Sequence, residues 1–348
     1  MIKRRNILAL FLAGVAVSCG ETKVSPGSAV NAVAGVVENV ADAVTGASHL
    51  GFDTGIYPGD ETMRVWRAAA PYRWVGYYLE APCHKDDSWS GKRETLTQMG
   101  WGLAVVYVGQ QTWSGVPAKH STVYHTTYVT KTVTKNVSKR VKTYVRSKSG
   151  KRVAKYVTKR VPTKVKERVP VRTPVRVAFD ESKHGIDSCK RNLVTAARGT
   201  LEADDAITKA AAEGFPRGTV IFLDIERMDV TPVAMRDYYK AWVTRVLADG
   251  RYTPGVYAHA YNASLIYRDV KAVYDAAGRK DDPPFWVAVG RGFSPGKPPQ
   301  DVGHAFAAVW QGVLDVVQEW SGHKVLIDVN VAQTPSPSLH FLSASASN

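Results

Sequence analysis

Short apolar runs alternate with longer amphipathic stretches through most of the chain. The short runs predict strands at Leu50–Asp53, Trp74–Leu79, Leu103–Gly109, Val220–Glu226, Pro254–His259, Phe285–Val289, Ala307–Gln311 and Val325–Asn330. The amphipathic stretches between them predict helices over Glu61–Ala69, Lys92–Met99, Leu201–Glu213, Pro232–Ala248 and Ala263–Ala276. The fourth helix has a clear start: Thr231 can cap it, and Pro232 suits the first helical position, where no amide hydrogen bond is lost. Eight strands with interleaved helices predict an α/β fold, a (β/α)8 TIM barrel over residues 49–332. A doubly wound open sheet is the alternative, but no glycine-rich phosphate loop follows the first strand.

The pattern changes between Val123 and Val177. Val129, Val133, Val137, Val141 and Val145 recur every four residues, as do Val153, Val157, Val161, Val165 and Val169. A period of four is a multiple of the strand period of two, so these valines share one face of extended chains. Lys148-Ser149-Gly150 can form the turn, which pairs Val145 with Val153 and so on out to Val129 with Val169. Pro162, Pro170 and Pro174 all fall at even positions, where a two-stranded ribbon can direct the missing N–H outward. A long basic β-hairpin over residues 119–180, inserted after the third strand, is the expectation. With one valine stripe and many like charges it has little to hold it rigid by itself.

Charge sharpens this picture. The chain carries a net +15, yet residues 119–180 hold 18 Lys and Arg against two acids, Glu167 and Asp180, so the remainder is close to neutral. The insert is therefore expected to meet an anionic membrane surface or an anionic wall polymer. Tyr124, Tyr128, Tyr144 and Tyr156 interleave with the cations, but no DNA- or RNA-binding motif is present, and specific nucleic-acid recognition is not expected.

The termini read as targeting and tail. Lys3, Arg4 and Arg5 precede an apolar run, Ile7–Val17, too short to span a bilayer. Ala16-Val17-Ser18-Cys19 resembles the lipobox of bacterial lipoproteins, which implies an acylated Cys19 and a membrane lipid anchor. Arg4-Arg5 followed by Asn6-Ile7-Leu8 also resembles a twin-arginine export signal. An ordinary cleaved signal peptide is the alternative. Residues 1–19 are thus read as signal peptide, 20–48 as a tether rich in Gly, Ala, Ser and Val, and 333–348 as a disordered tail. Export places Cys83 and Cys189, which flank the insert, in an oxidising compartment. A disulfide between them would pin the insert's base; two buried thiols are the alternative.

The candidate chemistry lies at the strand ends. In Val220-Ile221-Phe222-Leu223-Asp224-Ile225-Glu226, residues two apart project to one side, so Asp224 and Glu226 point together into the barrel mouth. Asp53 and Asp328 end the first and last strands, which are neighbours in a closed barrel. Crowded carboxyls raise one another's pKa, and glycoside hydrolysis needs one protonated acid beside one carboxylate. Tyr77, Tyr257, Trp286, Trp310 and Gln311 at other strand ends are candidates to bind a sugar, with His259 as a hydrogen-bonding rim residue. Asp and Glu oxygens also suit magnesium or calcium, but no zinc-type His/Cys spacing occurs, and neither metal nor cofactor is expected.

Gly51-Phe52-Asp53, Leu223-Asp224-Ile225-Glu226, Gly255-Val256-Tyr257, Phe285-Trp286-Val287-Ala288, Trp310-Gln311 and Ile327-Asp328-Val329-Asn330 stand in the order seen in family 25 lysozymes. With Gly76-Tyr77-Tyr78 as second strand, the chain resembles more closely a bacterial secreted "glycoside hydrolase-like" family of unknown function. The resemblance covers residues 50 to 332 apart from the insert. It implies a barrel with Glu226 as general acid and Asp224 as stabiliser, assisting base or nucleophile, with Asp53 and Asp328 completing an acidic cleft. The expected activity is hydrolysis of a cell-envelope glycan such as peptidoglycan. The alternatives are a glycan-binding pseudo-hydrolase and an adhesive envelope lipoprotein that works through its basic ribbon.

Overall fold

A computed structural model describes residues 48–118 and 120–339. The expected signal peptide with Cys19, nearly all of the expected tether, and residues 340–348 lie outside the described residues. In chain order the elements are β1 (His49–Asp53), α1 (Asp60–Ala69), β2 (Trp74–Tyr78), α2 (Arg93–Gln98) and β3 (Gly102–Val108). There follow β4 (His120–Arg146), β5 (Arg152–Ala178), α3 (Ala196–Ala212), β6 (Val220–Ile225) and α4 (Val233–Asp249). The chain closes with β7 (Thr253–His259), α5 (Ala260–Ala276), β8 (Phe285–Ala288), β9 (Ala307–Trp320) and β10 (His323–Ala332).

Eight of these strands form a closed barrel in the order β1-β10-β9-β8-β7-β6-β3-β2. Strict (β/α)8 alternation does not hold. Among the described residues, α-helices follow only the first five barrel strands, and β10 runs antiparallel to both β9 and β1. The reason is the connection. β9 extends well past Gln311 to Trp320, and Ser321-Gly322, both at positive φ, turn the chain directly into His323. A two-residue turn can only reverse direction, whereas a parallel neighbour needs a long crossover.

Strand alternation sorts the barrel's side chains. Phe52 of β1 faces outward onto Trp66 of α1, Tyr72 and Trp101, with ring centroids 5.2–5.6 Å apart. Inside, Trp74, Phe222 and Trp286 meet edge to face beneath the mouth. Gly51 makes room for this packing, because a Cβ there would lie 2.1 Å from the Trp74 ring. Two local expectations fail. Pro232, not Thr231, occupies the cap position of α4 without a side-chain cap, and the Thr231 hydroxyl accepts from Asn262 Nδ2 instead. Residues 333–339 are not a free tail: the Ser336 and Ser338 hydroxyls accept from the Leu103 and Val105 amides, and the Ser338 carbonyl accepts from Val220. Those amides start β3 and β6, which pair with each other only from Val105 and Ile221 onward. Buried backbone donors need acceptors, and this segment supplies them.

β4 and β5 pair antiparallel without a bulge from His120–Ala178 to Arg146–Arg152, placing Val129 opposite Val169 and Val145 opposite Val153. Gly150, at φ +79°, serves the turn, where the Ser147 amide donates to the Lys151 carbonyl. At ~3.3 Å per residue the 27-residue strands reach roughly 90 Å.

The ribbon's base is held firmly. Cys83 and Cys189 form a disulfide with 5.0 Å between Cα atoms. The returning segment is bound by Arg198 of α3, whose guanidinium donates to the carbonyls of Gly185, Ile186 and Ser188 and pairs with buried Glu202 at 2.6 Å. Gln110 joins this network through Ser188, Lys190 and Glu202.

Candidate active site

The barrel mouth holds a small pocket of about 70 Å³, room for a few waters or one substituent of a larger ligand. Asp53, Tyr78, Val106, Asp224, Glu226, Tyr257, Trp286, Gln311 and Asp328 line it. β1 and β10 pair with Asp53 directly opposite Asp328. Because β10 is antiparallel, the middle of that strand and not its C-terminal end lies at this rim.

Each carboxyl has its own environment. Asp53 accepts from three donors: Tyr78 Oη at 2.7 Å, Asn330 Nδ2 at 2.8 Å and Gln311 Nε2 at 2.9 Å. Burial pushes its pKa up and these hydrogen bonds pull it back, so of the four it is the best supported as an anion. Asp224 is the opposite case: its Oδ1 is buried with no hydrogen-bond partner. Burial first, then the charges of Glu226 and Asp53, hold it well above the ordinary range. Glu226, half-buried at the end of β6, is also raised by burial and by Asp53. Asp328 is pushed up to about 8, mainly by burial and then by Asp53. It accepts from Gln311 Nε2 at 3.1 Å and from the Asp315 amide at 2.7 Å. Asp315 sits at φ 52° where the β9–β10 register shifts, a bulge that aims its N–H at Asp328.

Some expected sugar-binding residues take other places. Tyr77 faces the helices, fully buried, with its hydroxyl donating to Glu213; its neighbour Tyr78 takes the inward position. Trp310 likewise faces outward, donating to the Val289 carbonyl and packing on Phe293, while Gln311 turns inward. Adjacent strand residues cannot share a face, so only one of each pair reaches the pocket. His259 caps α5 by accepting from the Tyr261 amide and does not line the pocket. Tyr257 and Trp286 do line it: Tyr257 donates to Gln311 Oε1 at 2.6 Å, and Trp286 donates to Asn330 Oδ1 at 3.0 Å.

Three residues of the constellation, Tyr78, Asn330 and Gln111, were not singled out from the sequence. Gln111 donates to the Asp224 carbonyl at 2.8 Å and accepts from the Glu226 amide at 3.2 Å, fixing the end of β6. For Asn330 the signal is in the sequence, since it lies two residues from Asp328; Tyr78 stands next to Tyr77, the residue expected at that strand end, on the opposite face. Gln111 lies beyond its strand, where alternation gives no guide. Among the described residues, no group of three His, Cys, Asp or Glu side chains has the arrangement to hold a metal ion.

A family model, that of the Rv2525c-like, glycoside hydrolase-like domain, matches residues 64–332. The chain belongs to that family. No curated protein matches the sequence. Solved structures that resemble it share little sequence. An uncharacterized B. stearothermophilus protein is 15% identical with a TM-score of 0.44, covering 82% of this chain and 95% of that one. The Clostridium perfringens spore cortex lytic enzyme SleM is 11% identical with a TM-score of 0.43, covering 83% and 68%. The Mycobacterium tuberculosis Tat-secreted protein Rv2525c, in complex with L-tartrate, is 14% identical with a TM-score of 0.40, covering 83% and 96%.

The crowded carboxyls carry a stability signature. A carboxyl whose native pKa is raised stays protonated in the fold where the unfolded chain already ionises. The stability this contributes is complete below the unfolded Asp value of ~3.9 and is lost as pH rises through the native value. For Asp328 that window runs up to about 8, and the other three are shifted in the same direction. Melting temperature is therefore expected to fall by several degrees between pH 5 and pH 8, and less in Asp328→Asn. A melting temperature that rises over that interval contradicts the site's electrostatics.

Proposed function

We infer that the protein is an exported glycoside hydrolase that cleaves a cell-envelope glycan, of the peptidoglycan or related amino-sugar class, by carboxylate acid/base catalysis. The observation that carries this reading is the convergence of Asp53, Asp224, Glu226 and Asp328 in one pocket at the barrel mouth, each raised in pKa by burial. Membership of a glycoside hydrolase-like family supports it.

Asp224 is raised by the charge of Glu226 beside it, and one proton between two carboxyls leaves an acid and an anion side by side. The positive charge developing on the sugar favours the anionic form of buried Asp224 and leaves the proton on Glu226, the more accessible of the two, which donates it to the departing glycosidic oxygen. Asp224, whose Oδ1 accepts no hydrogen bond from the protein, then faces the positive charge that develops at the anomeric carbon. Asp53 adds negative field, and Asp328, tied to it through Gln311 Nε2, hydrogen-bonds sugar hydroxyls at the rim. Tyr257 and Trp286 form the wall against which a sugar stacks.

The disulfide Cys83–Cys189 supports export, because such bonds persist in oxidising compartments. The basic and apolar N-terminal segment supports it too, and Cys19 is the proposed site of lipid anchoring. Mass spectrometry of products from purified peptidoglycan and chitin-type oligosaccharides tests the activity. New reducing ends released by the folded protein are expected. Glycan binding without any product overturns hydrolysis and leaves a binding module.

A further inference from the structure

The ribbon register divides β4 and β5 into two chemically distinct faces. Every pairing from His120–Ala178 to Arg146–Arg152 joins even with even and odd with odd positions. The odd face carries the valine ladder, Lys131, Lys135, Lys139, Lys155 and Lys159, and the two strands' one acid, Glu167, paired with Lys135 at 2.7 Å. The even face carries every arginine of both strands, from Arg140 to Arg176, together with Lys142, Lys164 and Lys166. No acid shares it. A charge count alone does not reveal this sorting.

The tyrosines belong to the even face as well, and each lies under a cation. Arg168 sits 4.9 Å from the Tyr128 ring centroid, Arg152 5.1 Å from Tyr144, Arg140 5.1 Å from Tyr156 and Arg172 5.5 Å from Tyr124. The rings thus hold guanidinium groups close to the ribbon by cation–π contact, which arginine makes more often than lysine. The rings stay 53–57% exposed, but with an arginine already over each, a nucleic-acid base has to displace that contact to stack there. A guanidinium held in place presents its paired N–H groups to phosphate oxygens at a smaller entropic cost than a free side chain.

Shape decides between a bilayer and a polymer. Two-stranded ribbons carry the strongest right-handed twist, so over some 90 Å the even face winds about the ribbon axis. A flat membrane touches such a face only in patches, whereas a flexible linear chain can follow it. Neighbouring cations such as Lys164, Lys166 and Arg168 recur at ~6.6 Å along β5, a spacing suited to repeating charges.

We propose that the arginine face of the ribbon binds a linear, base-free polymer of repeating phosphate groups, as an anionic wall polymer provides, and so holds the barrel along it. This surface is independent of the hydrolase reading: a protein inactive on glycan would still bind, and Glu226→Gln should bind as the wild type does.

The test uses the folded full chain with long-chain inorganic polyphosphate as probe, measured by fluorescence anisotropy over a salt series. In one variant Arg152, Arg160, Arg168 and Arg172 are each replaced by Gln; in the other Lys131, Lys135, Lys139 and Lys155 are. Both remove four charges. The arginine variant is expected to weaken binding at least tenfold more than the lysine variant, and its salt dependence should flatten by about one unit per residue removed. Equal losses from both faces overturn the proposal in favour of unspecific charge attraction. A single-stranded DNA oligonucleotide that binds more tightly than polyphosphate overturns it in favour of nucleic acid. Phosphatidylglycerol vesicles that bind more tightly than polyphosphate overturn it in favour of the bilayer.

Discussion

Glu226→Gln is expected to abolish turnover on a cleaved glycan, lowering kcat by ~10²–10⁴ while leaving substrate affinity within a few-fold. Glutamine keeps the shape and the backbone contact through which Gln111 accepts from the residue 226 amide. It cannot supply a proton to a leaving oxygen. Two further consequences separate this loss from damage to the fold. Glu226 is the neighbouring charge that raises Asp224 most, so its removal lets the Asp224 pKa fall toward the carboxylate range, and residual activity should show an altered pH profile. Removing a crowded carboxyl also relieves repulsion, so the variant should melt at or slightly above the wild-type temperature near neutral pH. Steady-state kinetics on the released glycan and thermal melts check both. A variant as active as the wild type removes Glu226 from the chemistry.

Arg198→Met should be the most damaging single substitution at the ribbon base, at about 3–5 kcal/mol. Arg198 and Glu202 are both essentially inaccessible, 2% and 0% exposed in their side chains. The guanidinium neutralises Glu202 and also satisfies three carbonyls of the segment returning from β5. Methionine fills much of the volume but leaves the Ile186 carbonyl without a donor, strips one donor each from Gly185 and Ser188, and leaves Glu202 without its cation. Burial already raises Glu202 against the pull of Tyr238, Gln110 and Arg198, so losing Arg198 drives it toward the neutral acid. The double variant Arg198→Met/Glu202→Leu should recover part of the loss, because replacing a whole buried pair costs less than breaking it. Chemical denaturation of the single and double variants measures this. A single-variant cost below ~1 kcal/mol would show that the pair does not hold this base. Proteolysis at residues 185–188 should accelerate in the single variant, since Arg198 holds three of their carbonyls.

These two sites differ in how far the sequence announced them. Asp224 and Glu226 were legible because strand alternation is local: two residues apart on one strand means one face, whatever the rest of the fold does. The same rule made the ribbon's valine pairing readable from a period of four and a glycine turn. Arg198 and Glu202 were not legible as a buried pair. An Arg and a Glu four apart on a helix commonly lie on a solvated face, and only the segment folded back from β5 buries them.

Alternation also has a limit visible in this barrel. It states that Tyr77 and Tyr78, or Trp310 and Gln311, face opposite ways, but which of each pair faces inward depends on the register to the neighbouring strand. That register placed Tyr78 and Gln311 in the pocket and sent Tyr77 and Trp310 outward.

The sequence by itself determined the strand-forming runs, the inward carboxylates, the position and pairing of the basic ribbon, and the two cysteines that join at its base. Each rests on a short-range periodicity or on a covalent possibility that the chain carries locally. Only the tertiary structure decided the antiparallel closure by β10, the use of Ser336 and Ser338 to complete β3 and β6, the hold of Gln111 on the end of β6, and the sorting of donors among the four carboxyls. Those depend on which backbone groups remain unpaired and which side chains lose water once the barrel closes, and neither quantity exists until distant segments meet.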